Sequence, residues 1–431
     1  MMNKKHLIIL ILVIGCVLTL VCWPQTIVLR IGIFAGSNWD VPSGDCYVII
    51  DQSIERFEKE HPNVKVEYES GILKEDYSQW LSEQYLKGNE PDIFMILSED
   101  FNTLSYLGAL KNLNQFIQED QSFDTQQYYK SALQAGKYQD KQYALPYESN
   151  PTLMFVNKTL LQKEGISMPK NHWTLDDFYK ICQKVTKDSN HDGVIDQYGC
   201  YNFNWLDSLY SHGARLFNET GTECYVNQSS VKDSISFIQK LNELNQGHNI
   251  TSHEFDQGQV AFSPMPFSQY RTYKPYPWRV KKYSNFEWDC VKMPSLSLTQ
   301  NSTQVSSLLM GMSARSHHTQ IAWEFLKMLS YDEQTQKQLF QYSQGISSLK
   351  SVTQSKEALL LLNDESLGDS QVDMSLLNEV MENTVNHSQF KKYESTLNLL
   401  NTSIQQIIQN DEEVDISLIT LQKEINQYLK E

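Results

Sequence analysis

The stretch from Ile27 to Tyr68 restricts the fold more than any other part of this sequence. Ile27 to Phe34 is a continuous apolar run rich in β-branched residues, the composition of a buried strand. A helical stretch follows, with Ile54 and Phe57 on one face and Pro62 to stop it, and Val64 to Tyr68 then alternates as a second strand. Strand, helix and strand in that order make a βαβ unit, whose strands lie parallel and whose crossover is right-handed. Tyr77, Leu81 and Tyr85 recur at four-residue spacing on the next helix, and Pro91-Asp92 introduces a third strand, Ile93 to Leu97. The N-terminal part of the chain is therefore α/β.

The same alternation resumes further on. Thr174-Leu175-Asp176-Asp177 has the form of a capping box and opens a helix striped by Phe178, Ile181, Cys182 and Val185. Val231, Ile235, Ile238 and Leu241 make a second stripe, and Ile321, Phe325, Met328 and Leu329 a third. Leu397, Leu400, Ile404 and Ile408 fall roughly in phase within the polar C-terminal part. Between them Pro264, Pro266, Pro275, Pro277 and Pro294 predict strand and loop rather than helix. With 431 residues the chain is too long for one compact core, and a second α/β region beginning near Tyr147 supplies another.

Charge narrows the partners. Against 36 Lys and Arg stand 52 Asp and Glu, a net charge of −16 that repels nucleic-acid phosphates and anionic lipid surfaces. At the N-terminus Lys4 and Lys5 precede an apolar run from Leu7 to Trp23, closed by Pro24 and longer than a signal h-region needs. Within it Val13-Ile14-Gly15-Cys16 resembles a bacterial lipobox, which would place a lipid on Cys16. The other reading is an uncleaved anchor helix spanning roughly 25 Å at about 1.5 Å per residue. Both put the basic end inside and the folded body outside the cytoplasmic membrane. Beyond this segment Cys46, Cys182, Cys200, Cys224 and Cys290 are odd in number and form no CxxC pair. Free buried thiols are the expectation, and no disulfide is assignable.

Five segments, in order, carry a resemblance. They are Lys87-Gly88-Asn89-Glu90-Pro91-Asp92-Ile93-Phe94 with Leu107 to Leu113; Gly136-Lys137-Tyr138 with Tyr143-Ala144-Leu145-Pro146; and Phe155 to Leu161 with Gly165, Pro169 and Trp173. Gly258 to Phe262 and Ala322 to Lys327 complete the set. Together they are similar to the family 1 extracellular solute-binding proteins, the maltose-binding-protein-like group that serves bacterial ABC importers. The resemblance implies a two-lobed, type II periplasmic-binding-protein-like α/β fold. Each lobe would be a mainly parallel sheet flanked by helices, with a ligand cleft between. It implies lobe I over residues 26–145 plus about 307–345 and lobe II over 146–306 plus about 346–431, after an N-terminal segment of 1–25. A monomer that shuts over a carbohydrate and hands it to permease subunits is the function it implies.

Sugars present hydroxyl edges and weakly apolar ring faces, so their sites combine aromatic platforms with polar or charged groups. Loops leaving strand ends offer Trp39 and Asp40 after the first strand, Glu99 and Asp100 after the third, and Tyr147 and Glu148 after the Tyr-Ala-Leu-Pro segment. By the resemblance Glu148 stands where relatives place a sugar-contacting acid, and Trp205 where they often carry a stacking aromatic. Phe267 and Tyr270 correspond to a further contact segment that lacks its usual tryptophan. For each aromatic the competing role is core packing; for Glu99 and Asp100 it is a solvated helix N-terminus.

Asp188 to Asp196 follows the DxNxDG pattern of calcium loops, with Asp188, Asn190, Asp192, the Val194 carbonyl and Asp196 as the ligand set for a structural ion. Gly199 stands where a bidentate Glu is expected, and a polar Asx turn explains the same residues. No other cofactor is indicated. Nothing resembles a GxSxG elbow, HExxH helix, GxGxxG turn or Walker loop. Ser347-Ser348-Leu349-Lys350 matches SxxK without its SDN or KTG partners. A non-enzymatic binding protein is expected, with a surface glycan-binding adhesin or a carbohydrate-active hydrolase as the alternatives.

Overall fold

The computed structural model describes residues 26–41, 46–273, 286–300, 302–364, 374–382, 384–385 and 387–431. Cys16 and the rest of the apolar N-terminal run lie outside them, as do Pro275 and Pro277. Among the described residues no helix is long and apolar enough to cross a membrane.

The expected βαβ start is present. Strand β1 (Ile27–Gly32) pairs in parallel with β2 (Val64–Tyr68) on one side and β3 (Ile93–Ile96) on the other. The helices Val48–Glu60 and Lys74–Lys87 connect them and bury Phe57, Tyr77 and Leu81. A short hairpin of β4 (Lys137–Tyr138) and β5 (Lys141–Gln142) forms its own two-stranded sheet. It leads into β6 (Ala144–Asn157), fourteen residues long and nearly all buried.

Strand β6 is the organising element. Its first half pairs antiparallel with β10 (Val305–Met312), which in turn pairs antiparallel with β3. Its second half pairs antiparallel with both β8 (Val260–Pro266) and β9 (Trp288–Val291), and β7 (Tyr198–Cys200) lies parallel to β8. The sheet order is β2-β1-β3-β10-β6-β8-β7 with β9 also on β6, so one strand runs through both halves of a mixed sheet. The expectation of mainly parallel lobes describes β2-β1-β3 but not the second half. There the long strand is hydrogen-bonded on both sides to strands running against it.

Two apolar cores flank this strand. The first gathers Leu29, Phe57, Tyr77, Phe94, Phe101, Tyr138, Leu145, Phe155, Trp323 and Leu326. The second gathers Met154, Trp173, Phe178, Val231, Ile235, Phe262, Leu400, Ile404 and Leu418. Phe155 and Met154 are neighbours on β6 and point into opposite cores, as alternation along a strand requires. Ile346, Leu349, Val352, Leu377 and Val380 also pack into the first core, and the second resumes with Phe390 and Tyr393.

Local expectations fared differently by element. Thr174 and Asp177 exchange both capping-box bonds, and Phe178, Cys182 and Val185 are buried on the helix Leu175–Val185. All four residues of the Val231 stripe are buried on Ser229–Leu244. On Tyr393–Gln409 it is Ile407, not Ile408, that joins Leu400 and Ile404 in the core. The proline-rich stretch is corrected: Phe267–Tyr273 is helical. Pro264 and Pro266 do lie in a strand, β8, and the helix begins directly after them. Cys182 and Cys224 are buried, whereas Cys46 and Cys200 are partly exposed.

Candidate functional site

The seam between the two cores is where β6, β10 and the segment after the helix Glu333–Tyr342 meet, and Pro146 sets its geometry. The ladder shifts register so that Leu309 faces Pro146 while Leu308 faces Glu148, which leaves Tyr147 as the extra residue of a β-bulge. The Tyr147 carbonyl accepts from Gln336 Nε2 at 2.9 Å instead. The bulge turns Glu148 inward. Its Oε1 accepts from the Trp39 indole at 2.8 Å, from the Gly345 amide at 2.6 Å and from the Ser343 hydroxyl.

Glu148 is only 3% exposed. Burial raises its pKa above the ordinary carboxylate value, against the opposing pull of Ser343, Trp39, Gly345 and the Arg271 charge. Arg271, on the helix Phe267–Tyr273, is itself buried and donates to the carbonyls of Leu339, Phe340, Ser343 and Gly345. It thereby ties the last turn of Glu333–Tyr342 to the segment that follows it. Beside it Asn150 and Ser268 exchange two bonds of 3.0 Å, and the hydroxyls of Ser149, Ser307 and Ser348 form a buried chain.

Of the expected ligand residues, Trp39 and Glu148 thus meet directly, with Tyr147 adjacent on β6. Trp39 stays half-buried, whereas Tyr147 is buried, and its burial, with the Glu148 charge adding, pushes its phenol well up. Phe267 and Tyr270 are placed close by, but at 0% and 1% exposure their rings stack on each other at 5.4 Å, with Trp288 against Tyr270. Neither ring face is open. Trp205 lies apart in the second core, 3% exposed, its indole donating to Asn401 at 2.7 Å. Asp40 is exposed and pairs with Lys74 at 2.7 Å.

Glu99 and Asp100 open the helix Ser98–Tyr106. Asp100 accepts from Ser78 at 2.5 Å, and burial, with Glu99 adding, raises its pKa. Glu99 faces Glu394 at the start of Tyr393–Gln409, whose carboxyl is raised by burial and then by Glu99. Sequence reasoning missed Arg271, Ser343, Gly345 and Glu394. Arg271 lay in a stretch read as strand and loop, and the others carry no motif.

In the Asp188–Asp196 loop the side-chain oxygens are engaged by local N–H groups. Asp188 accepts from His191, Asp192 and Gly193, Asp192 from Val194, and Asp196 from Ser189. The Gly193 bond first among these holds Asp188 below its usual pKa. Among the described residues no group of three or more His, Cys, Asp or Glu is gathered to hold a metal ion. The SxxK serine does not meet its lysine: Ser347 donates to Gln336 at 2.7 Å, and Lys350 pairs with Glu382 at 3.1 Å. A hollow of about 640 Å³ lies elsewhere, lined by Phe57, Phe116 and Trp323, and none of the expected ligand residues borders it.

Residues 52–359 match the family model for the bacterial extracellular solute-binding proteins. The galactooligosaccharide-binding protein of Bacillus subtilis (strain 168) is 24% identical over 328 residues, 70% of each chain. Among solved structures, the sugar-binding protein MalE of Xanthomonas citri superposes with a TM-score of 0.75 at 14% identity, over 94% of this chain and 97% of that one. The cyclic alpha-maltosyl-1,6-maltose binding protein of Arthrobacter globiformis gives 0.74 at 15% identity, over 95% and 100%. An ABC substrate-binding protein of Listeria monocytogenes in complex with cycloalternan gives 0.69 at 21% identity, over 94% and 100%. The two-lobed α/β fold is common to them.

Proposed function

This chain belongs to the bacterial extracellular solute-binding proteins, and from that premise we propose that it captures an oligosaccharide outside the cell and delivers it, unaltered, to an ABC permease. The observation that carries the reading is the family match over 52–359, joined to a fold in which one long strand links two separate cores. Relatives named for galactooligosaccharide and for cyclic glucose oligomers support a neutral carbohydrate ligand. A ligand touching both lobes favours the closed arrangement in proportion to its preference for it.

Trp39 is the expected residue best suited to contact a sugar, because its ring is partly accessible while its indole nitrogen is held by Glu148. Glu99 and Asp40 are the acids with exposed side chains. Lobe I comprises 26–145 and 307–345, and core membership supports adding 346–381 to it; the rest of 146–431 is lobe II. The protein acts as a monomer without catalysis, held to the membrane through a lipid on Cys16 or through the apolar run itself.

A thermal-shift screen tests the reading. Binding to the folded state alone adds RT ln(1 + [L]/Kd), about 2.7 kcal/mol at a hundredfold excess over Kd. Galacto- and malto-oligosaccharides should raise the melting temperature and be recovered intact. A rise with amino acids or polyamines and none with any sugar would overturn the carbohydrate assignment, and released product would restore the hydrolase.

A further inference from the structure

Away from the crossing strands the two lobes meet at Glu379, which pairs with Lys292 at 2.9 Å, and again through Lys391. Lys391 lies between Phe390 and Tyr393, which are buried in the second core, and is itself exposed. Its ammonium sits 4.1 Å from the ring centroid of Tyr106, at the end of the first-lobe helix Ser98–Tyr106. The β4–β5 hairpin, whose Tyr138 belongs to the first core, forms a sheet of its own. Neither first-lobe element pairs with a strand of the second lobe. The contact is therefore not imposed by the sheet.

We propose that Lys391 is a positioning residue that latches the two lobes together through its ammonium on Tyr106. The proposal rests on the reading that the lobes close over a solute. Opposing it are Glu99 and Glu394, like charges on the two lobes, the first of which raises the carboxyl of the second. A cation over an exposed aromatic ring contributes modestly, so the latch biases closure without locking it. A ligand would then meet a protein whose competent state is already more populated, which tightens apparent affinity by the same factor.

The test needs no ligand. Amide exchange of residues 98–106 and 387–393, with small-angle scattering, would be measured on the unliganded wild type and on Lys391→Met, Tyr106→Leu, the double variant and Lys391→Arg. Lys391→Met and Tyr106→Leu should each raise exchange in both segments about 2- to 5-fold, the factor a surface cation–π contact represents. The double variant should do no more than either single change, because both remove one shared interaction. Lys391→Arg should behave as wild type. Exchange unchanged in Lys391→Met, or effects of the two single changes that add in full, would overturn the latch. Either result leaves the sugar screen untouched, whereas a screen silent to every sugar would remove the capture reading and not the contact.

Discussion

Replacing Glu148 by Leu separates two roles that the same residue can hold, a ligand-contacting acid and a tie across the seam. In the structure its Oε1 accepts from Trp39, Ser343 and Gly345. Leu offers no acceptor. The Ser343 hydroxyl can rotate and the half-buried Trp39 indole can recruit water, but the buried Gly345 N–H would be all but stranded, with only a 3.5 Å contact to the Ser343 hydroxyl. A stranded buried donor costs about 1–3 kcal/mol. Arg271 keeps its four carbonyl acceptors yet loses the charge of Glu148, which adds to the loss. The sum is on the order of 2–4 kcal/mol. Glu148→Gln retains an acceptor in the same place and should cost at most about half as much. Urea denaturation followed by tryptophan fluorescence measures both, the midpoint falling while the slope stays constant. If Glu148→Leu unfolds at the wild-type urea concentration and loses only oligosaccharide binding, the assignment of Glu148 to the seam is wrong.

Three further outcomes follow from buried groups. Asp207 is buried at the start of the helix Trp205–Ser211, and burial pushes its pKa up to about 7 against bonds from Asn204 and Gln304. Its folded pKa exceeds the unfolded one, so its contribution is fully present below about pH 4 and is lost as pH rises to 7. Asp207→Asn should remove that decline, by up to roughly 1.4 kcal/mol per pH unit, in melting curves taken from pH 4 to 7. His387, held between the Tyr210 and Tyr393 hydroxyls, is pushed down to about 4 by burial, so its contribution has the opposite slope and fades as pH falls through that value. Trp205→Ala should cost roughly 3–5 kcal/mol in the absence of any ligand, because the ring fills the second core; a stable variant that has lost only binding would contradict its burial. For the Asp188–Asp196 loop, closed by its own N–H groups, chelator should leave the melting temperature unchanged, and a drop reversed by added calcium would establish the ion.

Local pattern revealed much of the fold. The capping box at Thr174, the strand Val64–Tyr68 and the Val231 stripe are set by neighbours within a few residues, and all three formed as expected. The site was less legible. Tyr147 and Glu148 were singled out as ligand contacts, but whether a tyrosine or tryptophan packs inward or faces a ligand depends on what lies opposite. For Phe267 and Tyr270 that is Phe155, Trp288 and each other. For Trp205 it is Asn401, 196 positions away. The helix Phe267–Tyr273 escaped notice because flanking prolines weigh on a window that they do not enter.

What the linear order of residues settled by itself is the α/β class, the start of the parallel sheet and the placement of the main amphipathic helices, since these depend on periodicity and on breakers close at hand. Tertiary structure alone decided that β6 runs through both halves, that Glu148 is answered by Ser343 and Gly345 from nearly two hundred residues away, and that Lys391 meets Tyr106. Such pairings carry no signature along the chain. Their free energy comes from burial and from hydrogen bonds between segments whose proximity exists only after both cores have formed.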